Sequence, residues 1–164
     1  MTRPITIIQI ALLLGASGAC RGDVLTVCEL LDKMPAHDGE VVSVRGIYSA
    51  GSESSGIYDD ACRGQLSFKD RKWESGIWIA SWPKPPSKSE FDYEAFDRLV
   101  KAHREARATG RVVTAVFEGK LKYCSVQARD RSGALIWVGC GFLGYYPLEM
   151  VVRTVRDVRV EERK

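Results

Sequence analysis

The sequence predicts a mainly β (α+β) domain, a five-stranded barrel with one helix ahead of it and a second helix between its third and fourth strands. Three observations carry that prediction. Apolar and polar residues alternate, the period of a half-buried strand, from Glu40 to Tyr48, from Arg111 to Tyr123 and from Leu148 to Val160. One stretch of helical spacing, Tyr93 to Ala108, falls between the first two. Turn-forming clusters such as Pro35-Ala36-His37-Asp38-Gly39 and Asp130-Arg131-Ser132-Gly133 punctuate the rest.

Taken in order, Thr26-Val27-Cys28-Glu29 has the form of a capping box, in which hydroxyl and carboxylate satisfy helix N–H groups reciprocally. A short helix to Met34 should follow and stop at Pro35. In the strand from Glu40, Val42, Val44 and Tyr48 share one face and Val41, Ser43, Arg45 and Ile47 the other, with Gly46 marking a bulge or bend. Gly51 to Gly56 reads as a polar loop, and short strands are expected over Gln65 to Lys69 and Ile77 to Trp82. The segment Pro83 to Ser89 can hold neither a ladder nor a helix interior and should be a connector.

The helix from Tyr93 places Phe96, Leu99, Val100 and His103 on one face, sets Glu94/Arg98 and Asp97/Lys101 at ion-pair spacing, and ends at Gly110. Val113, Ala115, Phe117, Leu121 and Tyr123 form the inner face of the next strand. The turn at Asp130 to Gly133 leads to a strand over Ala134 to Cys140. In the last strand Leu148, Met150, Val152, Val158 and Val160 share a phase that Val155 breaks, as a bulge would.

Over about residues 40 to 160 this order of elements resembles the OB-fold, a small five-stranded Greek-key barrel. The stretches Cys28 to Leu31, Gly39 to Gly46 and Gly141 to Pro147 are also similar to a group of bacterial lipoproteins without an assigned activity. That resemblance implies location and fold only.

Residues 1–19 read as a secretory signal: Arg3 ahead of the apolar run Ile5 to Leu14, then the small residues Gly15 to Ala19. The run falls short of the about 20 apolar residues that a membrane span needs. Gly18-Ala19-Cys20 resembles a lipobox, which implies Cys20 as a lipidated, palmitate-bearing mature N-terminus. Ser17 departs from the leucine favoured there, and cleavage by signal peptidase I at the same site would leave Cys20 free. Residues 20–25 then form a tether and 26–164 a single OB-like domain, placed in the cell envelope and facing the periplasm or outside, or secreted if the anchor is absent.

The formal net charge is +3, and removing Arg3 with the signal leaves +2, too little to indicate a nucleic-acid partner. Besides Cys20, four cysteines remain, a set suited to an oxidising compartment and open to three pairings. Cys124 and Cys140 lie eight positions either side of Ser132, so a hairpin turning at Asp130 to Gly133 sets them opposite each other. That leaves Cys28 for Cys62.

Chemistry-bearing motifs are few. Gly139-Cys140-Gly141-Phe142-Leu143-Gly144 has the letters of a dinucleotide fingerprint but runs into Tyr145-Tyr146-Pro147 rather than a helix, so a tight inter-strand connection is expected and no cofactor. His37 and His103, the two histidines, have no ligand spacing, and no metal is expected. Trp73, Tyr145 and Tyr146 are candidates for stacking on a ligand. Trp78 and Trp82, in phase with Ala80, read as core. Arg98, Lys101, Arg104 and Arg107, interleaved with Glu94, Asp97 and Glu105, read as a solvated helix face.

The expectation for function is a non-enzymatic binding or interaction module of the envelope, attached to the membrane by its lipid, with an unidentified envelope partner or small ligand. The alternatives are a hydrolase using scattered carboxylates such as Asp59, Asp60 and Glu118, and a purely structural envelope protein.

Overall fold

The structure is a computed structural model and describes residues 23–52, 54–68, 71–81, 92–141 and 144–163. Cys20, Trp82 and the Pro83 to Ser89 connector lie outside the described residues. The chain opens with β1 (Val24–Thr26), which runs straight into helix α1 (Val27–Asp32). The capping box is present in full: Glu29 N–H donates to Thr26 Oγ1 at 3.2 Å and Thr26 N–H to Glu29 Oε2 at 2.7 Å. That bond, foremost, holds the Glu29 carboxyl below its usual range.

A closed barrel follows, built from β2 (Val41–Ala50), β3 (Ser55–Tyr58), β6 (Gly76–Ser81), β7 (Val112–Tyr123) and β10 (Leu148–Glu161). Neighbours run in the order β2, β3, β6, β10, β7, and β7 pairs back onto β2 to close the ring. The pair β6–β10 is parallel and the other barrel pairs are antiparallel, the arrangement expected of an OB-like barrel. Helix α2 (Tyr93–Ala108) sits between the third and fourth barrel strands in sequence and packs on β10 and β7. Its N-cap is Asp92, whose carboxylate accepts from Ala95 N–H at 2.9 Å.

The barrel interior is filled by the alternating residues that the sequence marks. Val42, Val44 and Tyr48 of β2, Val113, Ala115, Phe117 and Leu121 of β7, and Leu148, Met150 and Val152 of β10 are all buried. The seam of α2 is Ala95, Leu99 and Ala106, shifted from the expected face, so that His103 stands at its edge. Two register shifts in β10, between Val152 and Thr154 and between Arg156 and Arg159, flank Val155 and let it turn inward. No bulge occurs at Gly46, whose pairing with Ala115 is in register. The glycine answers a close approach instead: a Cβ there would stand 2.4 Å from Ile57 Cγ2 and 2.8 Å from the Tyr58 carbonyl.

The second barrel strand is a correction. Ser55–Tyr58, whose first two residues fall in the expected Gly51 to Gly56 loop, pairs with both β2 and β6, while β4 (Gln65–Phe68), in the stretch expected as a strand, pairs only with β5 (Arg71–Glu74) in a separate hairpin. A four-residue strand with glycine at its second position offers no alternation to read; its neighbours impose it. Between β7 and β10 a second hairpin, β8 (Val126–Arg129) and β9 (Leu135–Val138), stands apart from the barrel. Asp130 builds its turn by accepting from Ser132 Oγ at 2.6 Å, Ser132 N–H at 2.8 Å and Ala134 N–H at 3.0 Å, which holds its carboxyl below the usual range.

Both expected disulfides form. Cys28–Cys62 spans 5.7 Å between Cα atoms and ties α1 to the 3-10 turn at Asp60–Cys62; Cys124–Cys140 spans 5.3 Å and continues the hairpin register of Val126 opposite Val138. Two disulfides point to an oxidising, extracytoplasmic compartment. Among the described residues no helix is long and apolar enough to cross a membrane.

Candidate functional site

Where the end of β2 meets the start of β7 and the last turns of α2, the surface opens into a cleft of about 650 Å³, within the usual size of small-molecule sites. Arg63, Arg107, Arg111 and Arg163 line it with His103, against the carboxylates of Asp60 and Glu74. Three of the arginines have a local reason for their position. Arg63 follows the 3-10 turn, which Asp59 caps by accepting from Ala61 N–H at 2.9 Å and which Cys28–Cys62 pins to α1. Arg107 sits in the last turn of α2, where a cation complements the helix dipole. Arg111 follows Gly110, whose positive φ of 71° turns the chain from α2 into β7.

Two of the four arginines are already engaged. Arg63 Nη1 lies 3.2 Å from Asp60 Oδ1, and Arg111 Nη2 donates to the Val160 carbonyl at 3.1 Å. Arg111 Nε is buried and 3.1 Å from Glu162 Oε1, an ion-pair contact without hydrogen-bond alignment. Among the described residues neither Arg107 nor Arg163 is in an ion pair, so both are available to an incoming anion. Ser75, only 3% exposed, lines the same cleft, and its Oγ accepts from Gly64 N–H at 2.7 Å, leaving the hydroxyl proton to donate elsewhere. His103 packs edge-on to Tyr48, ring centroids 5.1 Å apart. Its burial, and then the neighbouring Arg107, hold its pKa below the ordinary value.

The aromatic residues gather elsewhere. Ile77 and Ile79, not Trp78, point into the barrel; Trp78 and Ala80 lie on the outer face of β6, reversing the phase expected from the sequence. Trp78 is nonetheless half-buried, because it and Tyr58 pack against Cys140 and Tyr146. The hydroxyls of Tyr58 and Tyr146 bond to each other, and burial with that bond pushes the Tyr58 phenol far above its usual pKa. Gly141 has φ of 79°, and a Cβ there would stand 2.9 Å from Trp78 Cγ. Gly139 lies so close to Trp73 that a Cβ would meet Cζ3 at 2.3 Å.

Of the three stacking candidates, therefore, Trp73 and Tyr146 are 1% and 9% exposed and closed to a ligand. Tyr145 is 45% exposed. The glycine run is a tight connection as expected, with Gly139 N–H donating to the Gly144 carbonyl at 3.0 Å and Cys140 bridged to Tyr146.

The remaining candidates disperse. Asp59 caps its turn, Asp60 holds Arg63, and Glu118 accepts from Ser43 at 3.5 Å outside the cleft, so the three carboxylates do not converge. His37 pairs with Glu40 at 2.8 Å in the turn after α1. Cys124, Cys140 and Glu149 hold ligand-type atoms within 4.8 Å of one another, but both sulfurs are spent in the disulfide. Comparison with protein-family models, curated proteins and solved structures finds no match for this chain.

Proposed function

We propose that the protein is a non-enzymatic binding module of the extracytoplasmic space, tethered by lipid on Cys20, and that the arginine-lined cleft is its ligand site for an anion. The observation that carries this reading is the pair Arg107 and Arg163, two guanidinium groups in one cleft that, among the described residues, form no ion pair. Arginine keeps its charge at all relevant pH values and presents a planar fork that suits carboxylate, phosphate or sulfate oxygens. The dispersal of Asp59, Asp60 and Glu118 removes the carboxylate group on which the hydrolase alternative rests.

Sulfate, whose charge is constant over the working pH range, is the simplest probe. Calorimetric titration should give binding that weakens with added sodium chloride and is lost in the double variant Arg107→Ala/Arg163→Ala. Sulfate binding unaltered in that variant, or no binding in the parent protein, would refute the assignment. The anchor is tested separately: Cys20→Ser should move the protein from the membrane to the soluble fraction, and an unmodified Cys20 in the parent protein by mass spectrometry would exclude lipidation.

A further inference from the structure

The cleft does not end at its own rim. A second depression of about 410 Å³ shares Tyr48, Ala50, Gly51, His103 and Arg107 with it and adds Ser52, Val100 and Arg104. Arg104 and Arg107 stand three apart on α2, and His103 and Arg107 four apart, the spacings of neighbours on a helix surface. Cations therefore succeed one another along a single track, from Arg111 and Arg163 past Arg107 to Arg104. Like Arg107, Arg104 is in no ion pair among the described residues.

Hydroxyl groups line the track between the charges: Ser49 and Ser75 in the cleft and Ser52 in the depression. Among the described residues, flat exposed rings, on which single-stranded nucleic acid stacks its bases, are not offered there. Tyr48 is only 5% exposed and lies against His103 and Phe117, and the Tyr58 hydroxyl is held by Tyr146. We infer that the ligand is a linear acidic glycan, a chain of sugars bearing carboxylates at regular intervals, laid along both depressions. The inference rests on the anion-binding reading of the cleft and adds the length and chemistry of the occupant.

The test is a length series of oligogalacturonates, from the monosaccharide to the hexamer, titrated into the full protein beside polyphosphate and an oligodeoxynucleotide of matched charge. Affinity should rise by about tenfold or more between monosaccharide and tetramer, since one charge-assisted contact corresponds to about that factor. Arg104→Ala, an exposed helix position that alanine suits, should abolish the gain while leaving monosaccharide affinity unchanged. A flat length dependence, an Arg104→Ala variant that weakens monosaccharide and tetramer equally or neither, or tighter binding of polyphosphate or oligonucleotide would each overturn the glycan assignment. Those outcomes would leave the anion site standing if sulfate still bound through Arg107 and Arg163; loss of sulfate binding would remove both readings together.

Discussion

The barrel and the segment that joins its last two strands are stabilised by different means. The barrel closes around Phe117, Met150, Leu99 and Ile57, none of them measurably exposed, and every strand has a partner on each side. The β8–β9 hairpin has just two strands, and Val126, Leu135 and Ile136 are 61%, 58% and 39% exposed. A lone hairpin is marginal in water. Here the Asp130 turn holds one end and the Cys124–Cys140 bond the other, so cross-links and turn chemistry substitute for burial. The lesson is that one chain can carry a self-sufficient core and an appendage whose order depends on a covalent tie.

The largest expected effect should come from the core. Phe117→Ala should cost about 3–5 kcal/mol and unfold barrel and hairpin together, seen as one cooperative thermal transition at a much lower midpoint. Survival of a barrel transition near the parent midpoint would contradict the account of Phe117 as a central core residue. The double variant Cys124→Ser/Cys140→Ser should come next, at about 3 kcal/mol for a loop of this length in the chain-entropy view. Its effect should be regional. Hydrogen exchange should quicken over residues 126–138 and stay slow in β2, β7 and β10; uniform quickening would show that the barrel also leans on the bond.

Asp130→Ala removes the acceptor of three hydrogen bonds and should loosen the hairpin slightly, detectable as faster exchange confined to the turn. The depressed pKa of Asp130 means that its contribution is present above the ordinary carboxylate range and fades as pH falls through the lowered folded value. His103 bears on the cleft rather than the hairpin. Because the native state holds this imidazole below its ordinary 6.5, the unfolded chain takes up the proton first, and stability declines as pH drops from 6.5 through the folded value. A bound anion offsets Arg107 and raises the His103 pKa, so binding takes up a proton. Sulfate affinity should increase as pH falls across that window and lose this dependence in His103→Gln; a profile unchanged by the substitution would remove His103 from the site.

How much of this was legible in the sequence differs between the same regions. The long strands announce themselves because one face is buried and the other wet, so Val42, Val44, Phe117 and Met150 fall at even spacing. The hairpin register was legible from Asp130 to Gly133 and the symmetry of Cys124 and Cys140 about Ser132. Ser55–Tyr58 was not, since its strand state is imposed by β2 and β6. The phase of Trp78 was not legible because an outward residue packed against Cys140 and Tyr146 looks as apolar as an inward one. The cleft was invisible for a different reason: Arg63, the pair Arg107 and Arg111, and Arg163 come from three separate places in the chain, and Arg107 reads locally as part of a solvated helix face. The one local hint is the run of Arg104, Arg107 and Arg111 across the end of α2.

The parallel pairing of β10 with β6 has a consequence for how the protein is made. β10 is the last strand of the barrel, yet it is the one that lies between β6 and β7. Until residues 148–161 have emerged and docked, both of those strands present unsatisfied edges, and the ring cannot close by any local pairing. Folding must wait for a contact between distant parts of the chain, the slow class of topology. The same delay leaves two sticky edges exposed in the interim, so a chain cut short before Leu148 should associate with its own copies rather than fold.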